Sequence, residues 1–261
     1  MDIFMQPMQI TFMALLLGHL LGDFPLQPQS IVKNKGERLW PLICHGLIHY
    51  ILAWTCLLIF TEVPYMSISS NAIVIGYLAI HLLIDKIKHR LIAGRPRFDD
   101  AVSFLLDQTL HVVVLGMAAL ALTGTRITEL THSVRLSTAT KTHILEVAIV
   151  YVAVVFGGGY LIRYLTKSLA KSTAAEPQDQ LGNAGLYVGW IERFLVITAI
   201  AMQSPILVGL ILTGKSIARY PEFKKARFAE YFLIGTLLSV SLSVLGGILL
   251  LQMLYGTVSL R

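Results

Sequence analysis

Tyr77 to His89 reads YLAIHLLIDKIKH, an apolar run that ends on two polar side chains, His81 and Asp85, four residues apart. On a helix that spacing stacks both on one face, one turn apart. Groups of this kind are costly in hydrocarbon and mark function when a membrane helix carries them. The arrangement recurs three times in the first half of the chain: His19 with Asp23 (HLLGD), His45 with His49 (HGLIH) and Asp107 with His111 (DQTLH).

The surroundings of these pairs define the class. The 261 residues are 55% hydrophobic and 14% charged, with mean hydropathy +0.70, which excludes an ordinary soluble globular chain. Apolar runs long enough to cross a bilayer as helices fall at about 7–24, 40–61, 70–88, 101–122, 144–164, 184–203 and 231–255. Residues 205–213, extended to Tyr220, add an eighth as a tilted or re-entrant segment. The expected fold is therefore all-α, a polytopic transmembrane helix bundle of seven or eight spans. Met1 to Leu26 reads as a first span and not as a removed signal peptide. Cys44 and Cys56 lack any CxxC spacing, so neither a disulfide framework nor a thiolate zinc site is expected.

Net charge is +6, but the basic residues flank spans, so anionic lipid explains them and no nucleic-acid partner is expected. Lys33, Lys35 and Arg38 follow the first span, Lys86 to Arg97 the third, and Arg163 to Lys171 the fifth. Enrichment of Lys and Arg in cytoplasmic loops puts these connections inside and the amino terminus outside, in a bacterial inner membrane. A hairpin turning near Gln203, Ser204 and Pro205 then keeps the basic segment 214–228 inside as well. Thr123 to His143, with Arg126, Arg135 and Lys141 on the outer side, is the exception. The chain divides into a His/Asp-rich half, 1–122, and a carboxy-terminal membrane half, 123–261, without internal repeats or a soluble appendage.

Alternating helix directions bring all four pairs to the cytoplasmic side at similar depth. With only eight histidines and seven aspartates in the chain, scattering by composition would supply about one such pair at most. Imidazole with carboxylate suits zinc, manganese or iron, and two ligands at i and i+4 are a recurrent way to hold such an ion. The ligand set is His19, Asp23, His45, His49, His81, Asp85, Asp107 and His111, more than one ion needs, so one or two divalent ions are expected. Paired ions serve phosphoester hydrolysis, with Asp23, Asp85 or Asp107 bridging or accepting a proton. The metal-free alternative is a set of hydrogen bonds locking helices together.

Gln27, Lys33, Lys86, Arg90, Lys215 and Arg219 are the residues expected to meet an anionic headgroup or phosphorylated substrate. Gln108 carries the same ambiguity as Gln27 between ligand support and loop chemistry. His89, His132 and His143 are read as lying outside the site. In the second half, Glu192 and Arg193 interrupt an apolar stretch (GWIERFLV), and an intramembrane arginine points to a specific role.

In order and spacing, HLLGDFPLQ, HGLIH, HLLIDKIKHR and FLLDQTLH resemble the bacterial membrane family catalogued as domain of unknown function 3307, over about residues 10 to 120. GWIERF and EYFLIGTLLS resemble the tail found in many members. The resemblance supports the eight metal-ligand candidates and implies no established activity. HxxxD and HxxxH on membrane helices are also loosely similar to the sites of inner-membrane metal-dependent hydrolases, and HxxxD to the zinc phospholipase C type of site. The leading expectation is a metal-dependent membrane hydrolase acting on a lipid or other amphiphilic substrate. The alternatives are a metal-ion or proton transporter using the same cluster, and a non-enzymatic membrane protein with a structural metal.

Overall fold

The computed structural model describes residues 5–28, 39–64, 67–95, 99–124, 139–167, 184–224 and 226–256, and among them the regular structure is helical throughout. In chain order the helices are α1 (Met5–Asp23), α2 (Leu39–Phe60), α3 (Ile68–Gly94) and α4 (Ala101–Thr123). Next, α5 (Ala139–Val152) runs through a π-helical turn (Ala153–Gly157) into α6 (Gly158–Leu165). Then come α7 (Ala184–Ala201), α8 (Ile206–Arg219) with a 3-10 extension (Tyr220–Lys224), and α9 (Ala226–Tyr255). Among the described residues, five helices are long and apolar enough to cross a membrane: Leu39–Phe60, Ile68–Gly94, Ala101–Thr123, Thr140–Leu165 and Phe228–Tyr255.

The chain separates into two compact units, Met1–Ile149 and Val150–Arg261. In the first, α1 packs on α2 and α4, and α3 on α2 and α4. The distribution of polarity is the reverse of that in a water-soluble bundle. On α2, His45 and His49 are buried while Ile43, Leu47 and Ile51 are exposed; on α3, His81 and Asp85 are buried while Ile80, Leu83 and Ile87 are exposed. Apolar side chains turned outward along a whole helix match a lipid solvent, in which the helix satisfies its own backbone. Capping fixes α4: Asp100 accepts a hydrogen bond from Ser103 N at 2.8 Å, and Gly124 ends the helix with φ 65°. The first contact is worth about 1 kcal/mol and sets the phase in which Asp107 and His111 face inward.

Two glycines on α1 let it approach α2. A Cβ on Gly18 would stand 3.1 Å from the Leu52 carbonyl oxygen, and one on Gly22 would stand 2.7 Å from the His49 ring. Small residues one turn apart are a recurrent device for close helix contact in membranes.

In the second unit, α9 and α8 both pack on α7. The connection from α7 to α8 passes through Gln203 at φ 56°, close to the turn expected at Gln203 to Pro205. Arg193 on α7 is 5% exposed, and its partner is backbone. In the π turn the hydrogen-bond ladder slips by one residue, and the Val155 carbonyl accepts from Arg193 Nε at 2.9 Å and from Nη2 at 2.7 Å. Nη1 donates to Ser239 Oγ at 3.5 Å, and Gly159 leaves room for the guanidinium, since a Cβ there would lie 2.7 Å from Nη2. The adjacent Glu192 pairs instead with Lys215, at 2.5 Å. Arg193→Lys keeps the charge and loses the fork, so it is expected to destabilise this unit by about 1–3 kcal/mol. A melting temperature in detergent equal to that of the parent would show that the guanidinium does not hold the turn.

Candidate metal centre

The eight side chains of the four pairs converge in the first unit. His19, His45, His49, His81 and His111 are each exposed by 1% or less, and Asp85 and Asp107 by 7% and 6%. Helical phase accounts for this: each pair lies on the inward face of its helix, and antiparallel neighbours bring the pairs level. Asp23 is central. Its Oδ1 lies 3.2 Å from His49 Nε2, 3.5 Å from His45 Nε2 and 3.9 Å from His81 Nε2, and its Oδ2 lies 3.6 Å from His19 Nε2. Asp85 Oδ2 is 3.2 Å from His45 Nε2 and 4.0 Å from His81 Nε2. The ring of His81 sits between those of His49 and His111, with centroids 4.3 Å from each.

These atoms form three overlapping groups with ligand spacing: His19, Asp23, His49 and His81; His45, His81 and Asp85; and Asp85, Asp107 and His111, each within 4.8 Å. The hydrogen bonds around them are incomplete. Both ring nitrogens of His19, Nδ1 of His49, Nδ1 of His81 and Oδ1 of Asp107 are buried without a hydrogen-bond partner. An unsatisfied buried polar group costs about 1–3 kcal/mol, so several in one cluster argue against a network built only to lock helices. Coordination would satisfy them, and the donor set of imidazole and carboxylate fits zinc, manganese or iron.

Support comes from neighbouring polar groups. His111 Nδ1 lies 2.8 Å from the Asp107 carbonyl oxygen and its Nε2 lies 3.4 Å from the His81 carbonyl oxygen, contacts that fix the orientation of the ring. Gln27 Nε2 and His45 Nδ1 are 3.1 Å apart. Gln108 Nε2 donates to Asp23 Oδ2 at 3.4 Å and to Asp107 Oδ2 at 3.3 Å.

The residues expected to meet an anion are spread differently. Lys86 is half-buried and Arg90 exposed on α3; Arg90 falls nine residues past His81, half a turn out of phase with the cluster face. Lys33 and His132 lie outside the described residues. Lys215 and Arg219 belong to the second unit, where Lys215 holds Glu192. His143 stands apart from the cluster set, paired with Glu146 at 3.2 Å.

Three features escaped the reading of the pairs. Lys88, not Lys86, reaches the cluster, with Nζ 2.7 Å from Asp107 Oδ2; its signal is the seven-residue step from His81. Tyr77, one turn before His81, is buried with its hydroxyl unpartnered and lines a small void with His19, His81 and His111. Gly18 and Gly22, flanking His19 at helical spacing, set the α1–α2 distance that lets His49 reach Asp23.

Fold and site together define a helical bundle with the outward apolarity of a membrane protein and a buried imidazole–carboxylate cluster able to hold metal. Residues 11–139 match the family model described as Protein of unknown function (DUF3307). The matched stretch carries all four motifs and supports assignment to that family. Comparison with the curated proteins and with the solved structures found no match.

Proposed function

We propose that the chain is a metal-dependent hydrolase of the bacterial inner membrane, cleaving a phosphoester or related bond in a lipid or other amphiphilic substrate. The observation that carries this reading is the surplus of ligands. A structural zinc site closes with four, whereas three overlapping groups are available here. The aspartates keep more exposure than the histidines, so the carboxylates form the accessible edge.

A bound divalent ion would supply Lewis acidity and nucleophilic water at neutral pH. The chain's own groups do the rest: Asp23 and Asp85 hold and orient the imidazoles, and Asp85 is the best candidate to accept a proton at the accessible edge. Gln27, beside His45, and Lys88, beside Asp107, are the groups of the cluster that would meet a substrate anion. In the membrane, α1 and the α7–α8 hairpin cross in addition to the five long helices, giving seven or eight spans. The amino terminus is then outside and the cluster near the cytoplasmic surface.

A second reading, metal-ion or proton transport, is favoured by one observation. Thr11, Cys56, Ser70 and Tyr77 are also buried in the same unit, so polar groups continue inward past the histidines.

Elemental analysis of the detergent-purified protein tests the proposal. One or two equivalents of zinc, manganese or iron are expected, lost in the double variant His49→Ala, Asp85→Asn while helical content survives. The loaded protein is then expected to hydrolyse a phosphorylated lipid. Absence of metal after reconstitution with each ion overturns the metal centre. Metal without turnover, but with ion uptake into proteoliposomes, replaces hydrolysis by transport.

A further inference from the structure

The three ligand groups are not independent. The middle one, His45 with His81 and Asp85, takes one member from each of the other two. The outer groups share no residue and can fill together. Their chemistry differs: three imidazoles and one carboxylate on one side suit tetrahedral zinc, while two carboxylates and one imidazole on the other suit a harder ion such as manganese.

The carboxylate-rich group already faces a cation. Lys88 Nζ is 2.7 Å from Asp107 Oδ2, with the Lys88 side chain 25% exposed and that of Asp107 5%. The ammonium also lies 5.7 Å from the centre of the Phe104 ring, a favourable seat for a positive charge. Asp107 Oδ1, by contrast, is buried and has no hydrogen-bond partner. One carboxylate oxygen is thus held by lysine while the other, 3.9 Å from His111 Nδ1, has no hydrogen-bond partner, in a residue that groups with Asp85 and His111 at ligand spacing. A buried carboxylate needs a counter-charge, and a flexible four-carbon stem rooted nearer the exposed edge lets this one leave.

We propose that the cluster holds two ions at unlike positions, His19–Asp23–His49–His81 and Asp85–Asp107–His111, and that Lys88 is the resident cation against which the second ion competes for Asp107. The proposal rests on the metal-centre reading and is independent of hydrolysis.

Equilibrium dialysis of the detergent-purified full chain against zinc alone and manganese alone tests it. The parent is expected to bind one zinc that resists a chelator and, more weakly, one manganese. Lys88→Met should tighten manganese about tenfold or more and leave zinc unchanged. Arg90→Gln, which removes the same formal charge from the exposed face of α3, should change neither. Asp107→Asn should lose manganese and keep zinc. A single class of site, equal tightening by Lys88→Met and Arg90→Gln, weaker manganese in Lys88→Met, or manganese retained in Asp107→Asn would each overturn the proposal. If neither ion binds the parent, the metal-centre reading falls with it.

Discussion

Gly22→Ala is expected to lower metal affinity about 10- to 100-fold, the range seen when a group that orients a ligand is lost. The new Cβ would lie 2.7 Å from both Cε1 and Nε2 of His49 and 3.0 Å from Cδ2, closer than nonbonded atoms tolerate. The ring is the end of a side chain and would ordinarily swing away. Here it cannot, because His49 is fully buried with the rings of His45 and His81 at 4.4 and 4.3 Å. Either His49 tilts off Asp23, from which its Nε2 is 3.2 Å, or α1 moves away from α2. Both outcomes break the group formed by His19, Asp23, His49 and His81. Helix propensity works in the opposite direction, since alanine is favoured over glycine by about 1 kcal/mol within a helix. The diagnostic result is therefore metal loss on dialysis against a chelator with little loss of thermal stability. Undiminished metal in the variant would remove His49 from the ligand set.

This glycine also marks where the sequence stops being readable. The four pairs are legible because helical periodicity fixes which side chains share a face, and alternating spans bring the faces level. Periodicity within one helix says nothing about the distance between two. That distance is set at Gly18 and Gly22 by backbone approach, visible in the sequence only as two small residues around His19. Lys88 is hidden for a related reason: Lys86, Lys88 and Arg90 look alike as a basic flank, and only their phase relative to His81 separates the one that reaches Asp107. Arg193 announces itself as a charge in an apolar run, yet its partner is the Val155 carbonyl within a π turn, a backbone event that no side-chain pattern encodes. The glycines at 157–159 mark the place without naming the partner.

His81→Ala carries the largest expected loss, because His81 is the hub of the cluster. It belongs to two of the three ligand groups, and its ring touches those of His19, His45, His49 and His111, with centroids between 4.3 and 5.3 Å. Truncation removes a ligand and opens a cavity among the four rings that pack against it. Deleting a buried side chain of this size costs about 2–4 kcal/mol in stability. Loss of one imidazole from a set of four donors should abolish the chelator-resistant zinc, a drop of at least 100-fold on the scale set by losing mere supporting groups. His45→Ala is the informative comparison. His45 is equally buried but belongs only to the middle group, and it bridges Asp23 and Asp85 at 3.5 and 3.2 Å. If the two outer groups are the ones that fill, His45→Ala keeps both ions with weakened affinity while His81→Ala loses the zinc outright. Equal loss in the two variants would instead put an ion in the middle group, between His45, His81 and Asp85, and would make the cluster a single centre.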